Sequence, residues 1–185
     1  MMSPISVRAW VAAKSRHCRV RVVSTDRSPD WVAISPSALA THELVAWATR
    51  PDCGAVVTFV GTARTTSTTG HEILELEYET DPGLAERRLA EVAAEARARW
   101  PEIRAVVLHH RIGTVHLAEP AVVVVVASPH RGEAFDAARF CIDAVKRTVP
   151  MWKREVWRGG SAWSDEAMDI VDVVDVNPRA TEEHA

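Results

Sequence analysis

Four cations fall within nine residues of this chain: Lys146 and Arg147, then Lys153 and Arg154 beyond Pro150. An unperturbed lysine titrates near pH 10.4, and crowding by Arg147, Lys153 and Arg154 is expected to push Lys146 down. A depressed lysine can act as base, acid or nucleophile near neutral pH, whereas a fully charged one holds an anion or stabilises developing negative charge. Reaching about pH 7 takes roughly three units, about 4 kcal/mol, which requires partial burial. The plainer reading is that Lys and Arg at a helix C-terminus complement its dipole and face water, at about 0.3–1 kcal/mol each. The apolar Val149-Pro150-Met151-Trp152 between the lysines favours the chemical reading, because a proline and an indole can hold two cations at a defined separation.

Two more places could join this cluster. Ser128-Pro129-His130-Arg131-Gly132 precedes a helix N-terminus, where backbone N–H groups favour anions. Gly61-Thr62-Ala63-Arg64 closes an apolar run and leads into TTSTTG; it lacks the G-K-[ST] of a phosphate loop, so nucleotide binding is not indicated, but Arg64 is a candidate phosphate ligand. Both segments read equally well as solvated loops. His71, His109, His110 and His116 have no carboxylate or thiol at ligand spacing, and His109 and His110 point to opposite strand faces, so no metal or other cofactor is expected. No G-x-S-x-G, Ser-x-x-Lys or Cys/His arrangement occurs, and Cys141 reads as an inert packed thiol.

Several elements position these residues. Arg19–Ser24 reads as a first strand and Pro36–Thr49 as a short helix on Leu39, Leu44, Val45 and Ala48. GAVVTFVG (54–61), a β-branched run bounded by glycines, reads as a buried strand, and EILELEYE (72–79) alternates as a half-exposed strand. Asp81-Pro82-Gly83 opens a helix with the stripe Leu89, Val92, Ala93 and Ala96, which stops before Pro101. Strands follow at 105–110 and 121–128, joined by a turn-rich segment with Gly113 and Pro120. The strongest helical spacing is Phe135, Ala138, Ile142, Val145 and Val149, ended by Pro150; Met151–Trp157 then alternates like a strand. Irregular interleaving of this kind predicts an α+β fold with a mixed or mainly antiparallel sheet.

Length and composition bound the rest. The 185 residues fit one domain, and 47% hydrophobic with 25% charged residues excludes collagen-like, coiled-coil and mostly disordered chains. A formal charge of -3 offers no global basic excess for nucleic acid or an anionic membrane. The longest wholly apolar run, Ala121–Ala127, is far below the roughly 18–20 residues that span a bilayer. Three widely spaced cysteines without C-x-x-C and an N-terminus without a secretory apolar region suggest a reducing cytoplasm.

Together the residues resemble a family. Gly54-Ala-Val-Val-Thr-Phe-Val-Gly61 with Arg64, Leu76-Glu77-Tyr78-Glu79, His110-Arg111-Ile112-Gly113, Ser128-Pro-His130-Arg131 with Phe135, and above all Lys146 followed by Pro150-Met-Trp152-Lys153-Arg154-Glu155, look like the large, catalytic subunit of molybdopterin synthase. The resemblance runs from about Arg19 to Trp163, with 1–18 as an N-terminal extension expected to be disordered and 164–185 as an acidic tail. It implies an α/β hammerhead with an additional small antiparallel sheet. It also implies a sulfurtransferase of molybdenum cofactor biosynthesis, acting on cyclic pyranopterin monophosphate. The sulfur donor would be the C-terminal Gly-Gly thiocarboxylate of a small ubiquitin-like partner, in a heterotetramer built on a homodimer of large subunits. Carried over by position, Lys146 and Lys153 match the active-site lysines, with Lys146 beside the partner's C-terminal glycine. Thr62, Ala63, Arg64, His130, Arg131, Arg154 and Glu155 match the substrate pocket, His130 and Arg131 being expected to face a neighbour's lysines. The sequence departs from the family at Thr62, at TTSTT (65–69) and at Thr80-Asp81.

Two rival readings use the same patch. A non-catalytic module would dock a ubiquitin-like tail or other anionic partner without turnover, and a Schiff-base enzyme would trap a phosphorylated carbonyl compound on Lys146.

Overall fold

The computed structural model describes residues 29–67, 70–164 and 171–177. The strand expected at Arg19–Ser24 and the expected extension 1–18 lie outside these residues.

Two four-stranded sheets carry the fold. The first contains β1 (Asp30–Ser35), β4 (Ala105–Arg111), β6 (Pro120–Ser128) and β2 (Ala55–Thr62), in the order β1-β4-β6-β2. β1 runs parallel to β4, while the β4–β6 and β6–β2 pairs are antiparallel, so the sheet is mixed. The second, in the order β5 (Gly113–His116), β3 (Ile73–Glu79), β7 (Trp152–Trp157), β8 (Gly160–Trp163), is antiparallel throughout. With α1 (Thr41–Ala48), α2 (Pro82–Arg99) and α3 (Arg131–Thr148), this is the expected α+β architecture with its additional small sheet.

The valine run of β6 has a direct cause: the large sheet is covered on both faces. Alternate side chains Val123, Val125 and Ala127 join Val107 beneath α1, against Leu44 and Ala48. Val122, Val124 and Val126 join Val106 and Leu108 beneath α2 and α3, against Leu89, Val92, Phe140 and Val145. A strand buried on both faces loses the polar half of its alternation. Gly61 near the end of β2 is required by close approach, because a Cβ there would meet Val122 Cγ1 at 2.6 Å. Gly113, at φ +78°, supplies the left-handed turn from β4 into β5.

α2 and α3 begin and end close to where their sequences indicate, whereas α1 starts only at Thr41, five residues inside the expected Pro36–Thr49. Asp81 caps α2 by accepting the Leu84 N–H at 2.7 Å, and Pro82 fills the first turn, where a missing N–H costs nothing. α3 approaches the sheet closely through Ala134, Ala137, Ala138, Cys141 and Ala144. Cys141 is fully buried and burial pushes its thiol up to about 12, in keeping with an inert packing role. Phe135 corrects the expected core stripe: it is 62% exposed. Each residue turns a helix by about 100°, so with Ala134 facing the sheet, Phe135 points sideways into solvent. Within the acidic C-terminal stretch, Val173 and Val176 are buried in the core, and Arg99 donates to the carbonyls of Val174 and Val176 at 2.7 and 2.8 Å.

Candidate active site

A three-residue link, Val149-Pro150-Met151, separates the helix bearing Lys146 from the strand bearing Lys153. Lys146 is exposed on the last turn of α3, and Arg147 beside it is half-buried. β7 pairs with β3 so that Lys153 lies opposite Tyr78, Arg154 opposite Glu77 and Glu155 opposite Leu76. Opposed residues share a face and successive ones alternate. Lys153 and Glu155 therefore sit on the inner face of the small sheet, with the apolar cluster of Ala63, Ile73, Leu76, Val115 and Ala121, which Tyr78 and Trp157 flank.

Strand alternation divides the cation cluster that the sequence suggested. Arg154 points to the outer face, where its Nε donates to Glu77 at 2.6 Å and its guanidinium lies 5.6 Å from the Trp163 ring. The structure thus does not bring Arg154 to the face of Lys153. On the inner face, Glu155 is only 7% exposed and uses both carboxylate oxygens. One lies 3.3 Å from Lys153 Nζ; the other accepts the Ser67 hydroxyl. A buried carboxylate placed in this way compensates the ammonium and fixes its direction.

Ser67 arrives on the loop that leaves β2 through Thr62, Ala63 and Arg64. Ala63 is buried and anchored twice, donating its N–H to Glu119 O at 3.1 Å and accepting from Ala118 N at 2.9 Å. Thr62 and Arg64 on either side are exposed. Below Tyr78, the buried His110 ring stands edge-on with centroids 5.0 Å apart. Its Nδ1 lies 2.8 Å from the Arg111 carbonyl, which only accepts, so Nδ1 carries the proton. Burial pushes His110 down to about 4, and it is neutral at pH 7. Asp143, one turn before Lys146, is raised by burial, against the opposing pull of Arg139, Lys146 and Arg147.

His130 and Arg131 lie elsewhere. They open α3 and are exposed; the rise of 1.5 Å per residue puts Arg131 about 22 Å from Lys146 along the helix axis. The β2–β6 register agrees: Thr62 pairs with Pro120 at one end, whereas Ser128, just before His130, pairs with Ala55 at the other. One chain therefore joins Ser67, Glu155 and Lys153 on the inner face of the small sheet and packs Ala63 into the same apolar cluster, with Thr62 and Arg64 exposed on either side of Ala63 and Lys146 across the link, and leaves His130 and Arg131 remote. A shallow depression lined by His71, Glu72, Leu74, Trp157 and Arg158 lies at the far end of β7 and includes neither lysine. Among the described residues, no three His, Cys, Asp or Glu side chains converge as metal ligands.

Ser67 and Tyr78 were not singled out by the sequence as lysine neighbours. One signal was available: only three of the 22 Lys and Arg residues are lysines, and two of those are Lys146 and Lys153. Guanidinium groups keep their proton, whereas an amine can give one up, which sets these two residues apart from the arginines around them.

A family model described as MoaE protein matches residues 34–148. The chain belongs to the MoaE family. Among MoaE relatives, the molybdopterin synthase catalytic subunit of Halalkalibacterium halodurans is 36% identical over 151 residues, covering 82% of this chain and 96% of the relative. Molybdopterin synthase from Staphylococcus aureus, solved by X-ray crystallography, matches with a TM-score of 0.68 at 35% identity, covering 71% of this chain and 95% of that one. A chain from the complex of subunits 1 and 2 of molybdopterin-converting factor of Helicobacter pylori shares the MoaE fold at 20% identity and a TM-score of 0.62, over 75% of this chain and 92% of that one.

Proposed function

We propose that this chain is a molybdopterin synthase catalytic subunit that transfers sulfur from the thiocarboxylated C-terminus of a small ubiquitin-like partner to cyclic pyranopterin monophosphate. The observation that carries the residue assignments is the Lys153–Glu155–Ser67 constellation on the dry face of the small sheet, with Lys146 across a three-residue link. A thiocarboxylate and a cyclic phosphate are both anions, and their approach costs Coulomb energy that fixed ammonium groups offset. Lys146 is the chief catalytic residue, next to the donor tail. Lys153, aimed by Glu155, is the second amine, holding the substrate anion or exchanging a proton with it. Thr62, Ala63 and Arg64 form the adjoining substrate wall.

His130 and Arg131, about 22 Å from Lys146 on their own helix, serve the lysines of a second copy. The pocket is then shared across a homodimer of large subunits, with a small partner at each end. Arg154, paired with Glu77 on the outer face, is left out of the pocket. The catalytic domain spans 19–163, and the site of action is the cytoplasm.

Reconstitution tests this reading. Purified chain, thiocarboxylated partner and cyclic pyranopterin monophosphate are expected to yield molybdopterin, and Lys146→Ala to slow that by about 10²-fold or more. Because Lys146 is exposed, the same variant is expected to unfold within about 0.5 kcal/mol of wild type. An unchanged rate removes Lys146 from the chemistry, and binding of the partner without product would favour a docking module instead.

A further inference from the structure

The link between the two lysines is held at three points. At its helical end the Val149 N–H closes on Val145 O at 3.1 Å. At its strand end the β3–β7 ladder begins, with Trp152 opposite Glu79. Between them stands Pro150, which is buried and has no N–H, and whose carbonyl lies past the last ladder pair. A buried carbonyl needs a donor, and here the donor is a side chain: Thr80 Oγ1 lies 2.5 Å from Pro150 O.

Thr80 is well placed for this. It directly follows β3, whose Tyr78 and Glu79 pair with Lys153 and Trp152, and it directly precedes Asp81, the cap of α2. The backbone on either side is thus tied down by a ladder and by a cap. The competing acceptor, the Asp81 carbonyl, stands at a longer 3.4 Å.

We propose that Thr80 is a positioning residue for the lysine pair: its hydroxyl clamps the Pro150 carbonyl and thereby fixes how the amines of Lys146 and Lys153 stand relative to each other. The catalytic consequence rests on the function proposed above; the clamp itself does not. Small displacements of reacting groups are costly in rate, and a side-chain clamp on the link between two reacting groups acts on that displacement.

Thr80→Val keeps the shape and removes the hydroxyl, and Thr80→Ser keeps the hydroxyl. With three lysines in the chain, ¹³C-methylation of the full-length protein gives few enough NMR signals to assign each amine. Thr80→Val is expected to move the Lys146 and Lys153 signals and their pH titrations, and Thr80→Ser to restore them. In the sulfur-transfer reaction with unmethylated protein, Thr80→Val is expected to lower kcat about tenfold with KM within about twofold. Wild-type lysine signals and wild-type kcat in Thr80→Val, whatever its melting temperature, would reduce Thr80 to a structural stitch and overturn the proposal. If Thr80→Val does not fold, Thr80→Ala, read well below its melting temperature, takes its place on the same criteria. Should wild-type protein form no product, the proposed function falls while the lysine spectra still decide the clamp.

Discussion

β6 and β7 are both strands of one small protein, yet they are built on opposite terms. β6 is sealed on both faces, Ala121 to Ser128 all being buried, and any side chain there answers only to packing. In β7 only Glu155 is fully buried, and the strand separates Lys153 from Arg154 by face alone. The difference shows where this fold can hold chemistry. A strand with two dry faces has no direction in which to present a charge, whereas a thin sheet with one dry face can hold an amine against a buried carboxylate while leaving it reachable.

The sharpest way to break that contrast is to put a charge into each strand. Val124→Asp in β6 places a carboxylate in the core with no partner and is expected to cost about 4 kcal/mol or more, leaving the chain unfolded by circular dichroism at 25 °C. A folded, active variant would show the large sheet to be far looser than its burial implies.

Next in size is the pH dependence at the seam between the sheets. His110 titrates near 6.5 when unfolded and at about 4 when folded, so between these values the unfolded chain binds the extra proton. Stability is then complete above about pH 6.5 and falls as the pH drops toward 4, by up to about 3 kcal/mol. Urea unfolding across this range checks it, and His110→Phe is expected to flatten the slope; an unchanged slope would assign the acid sensitivity elsewhere, with the buried His109, also lowered by burial, as the first candidate.

The smallest effect compares the two faces of β7 itself. Glu155→Gln removes one carboxylate charge from beside Lys153 in a largely dry setting and is expected to cost about 1–3 kcal/mol. Arg154→Ala removes a pair whose arginine is 37% exposed and is expected to cost under about 1 kcal/mol. Chemical denaturation of the two variants side by side measures the difference; equal losses would mean that face does not decide the worth of a charge here.

The sequence was legible where one rule dominated. The cap and stripe of α2 and the alternating β3 each announce themselves because local preference and tertiary burial agree; the glycine-bounded β2 is a strand as expected but not a buried one, since it lies at the sheet edge with its residues half-buried or exposed. β1 (DWVAIS) did not, since all six residues are only half-buried and give no clean period. Four-residue β5 and β8 are too short for a pattern and are fixed by their neighbours β3 and β7. Lys146 and Lys153 could be read from spacing and family likeness, whereas the division of Lys153 from Arg154 became visible only with the β3–β7 register. The remoteness of His130 and Arg131 followed once α3 was known to be a continuous helix of 18 residues.

The order β1-β4-β6-β2 has a consequence for the chain as it is made. β1 must wait for β4, some seventy residues later, and β2 for β6, which is complete only at Ser128. At about 5–20 residues per second, the ribosome leaves the apolar β2 without its partner strand for several seconds. A ribosome-bound chaperone that shields extended valine-rich segments is thus the natural companion of this topology, and slowing translation before residue 128 is expected to lower the soluble yield.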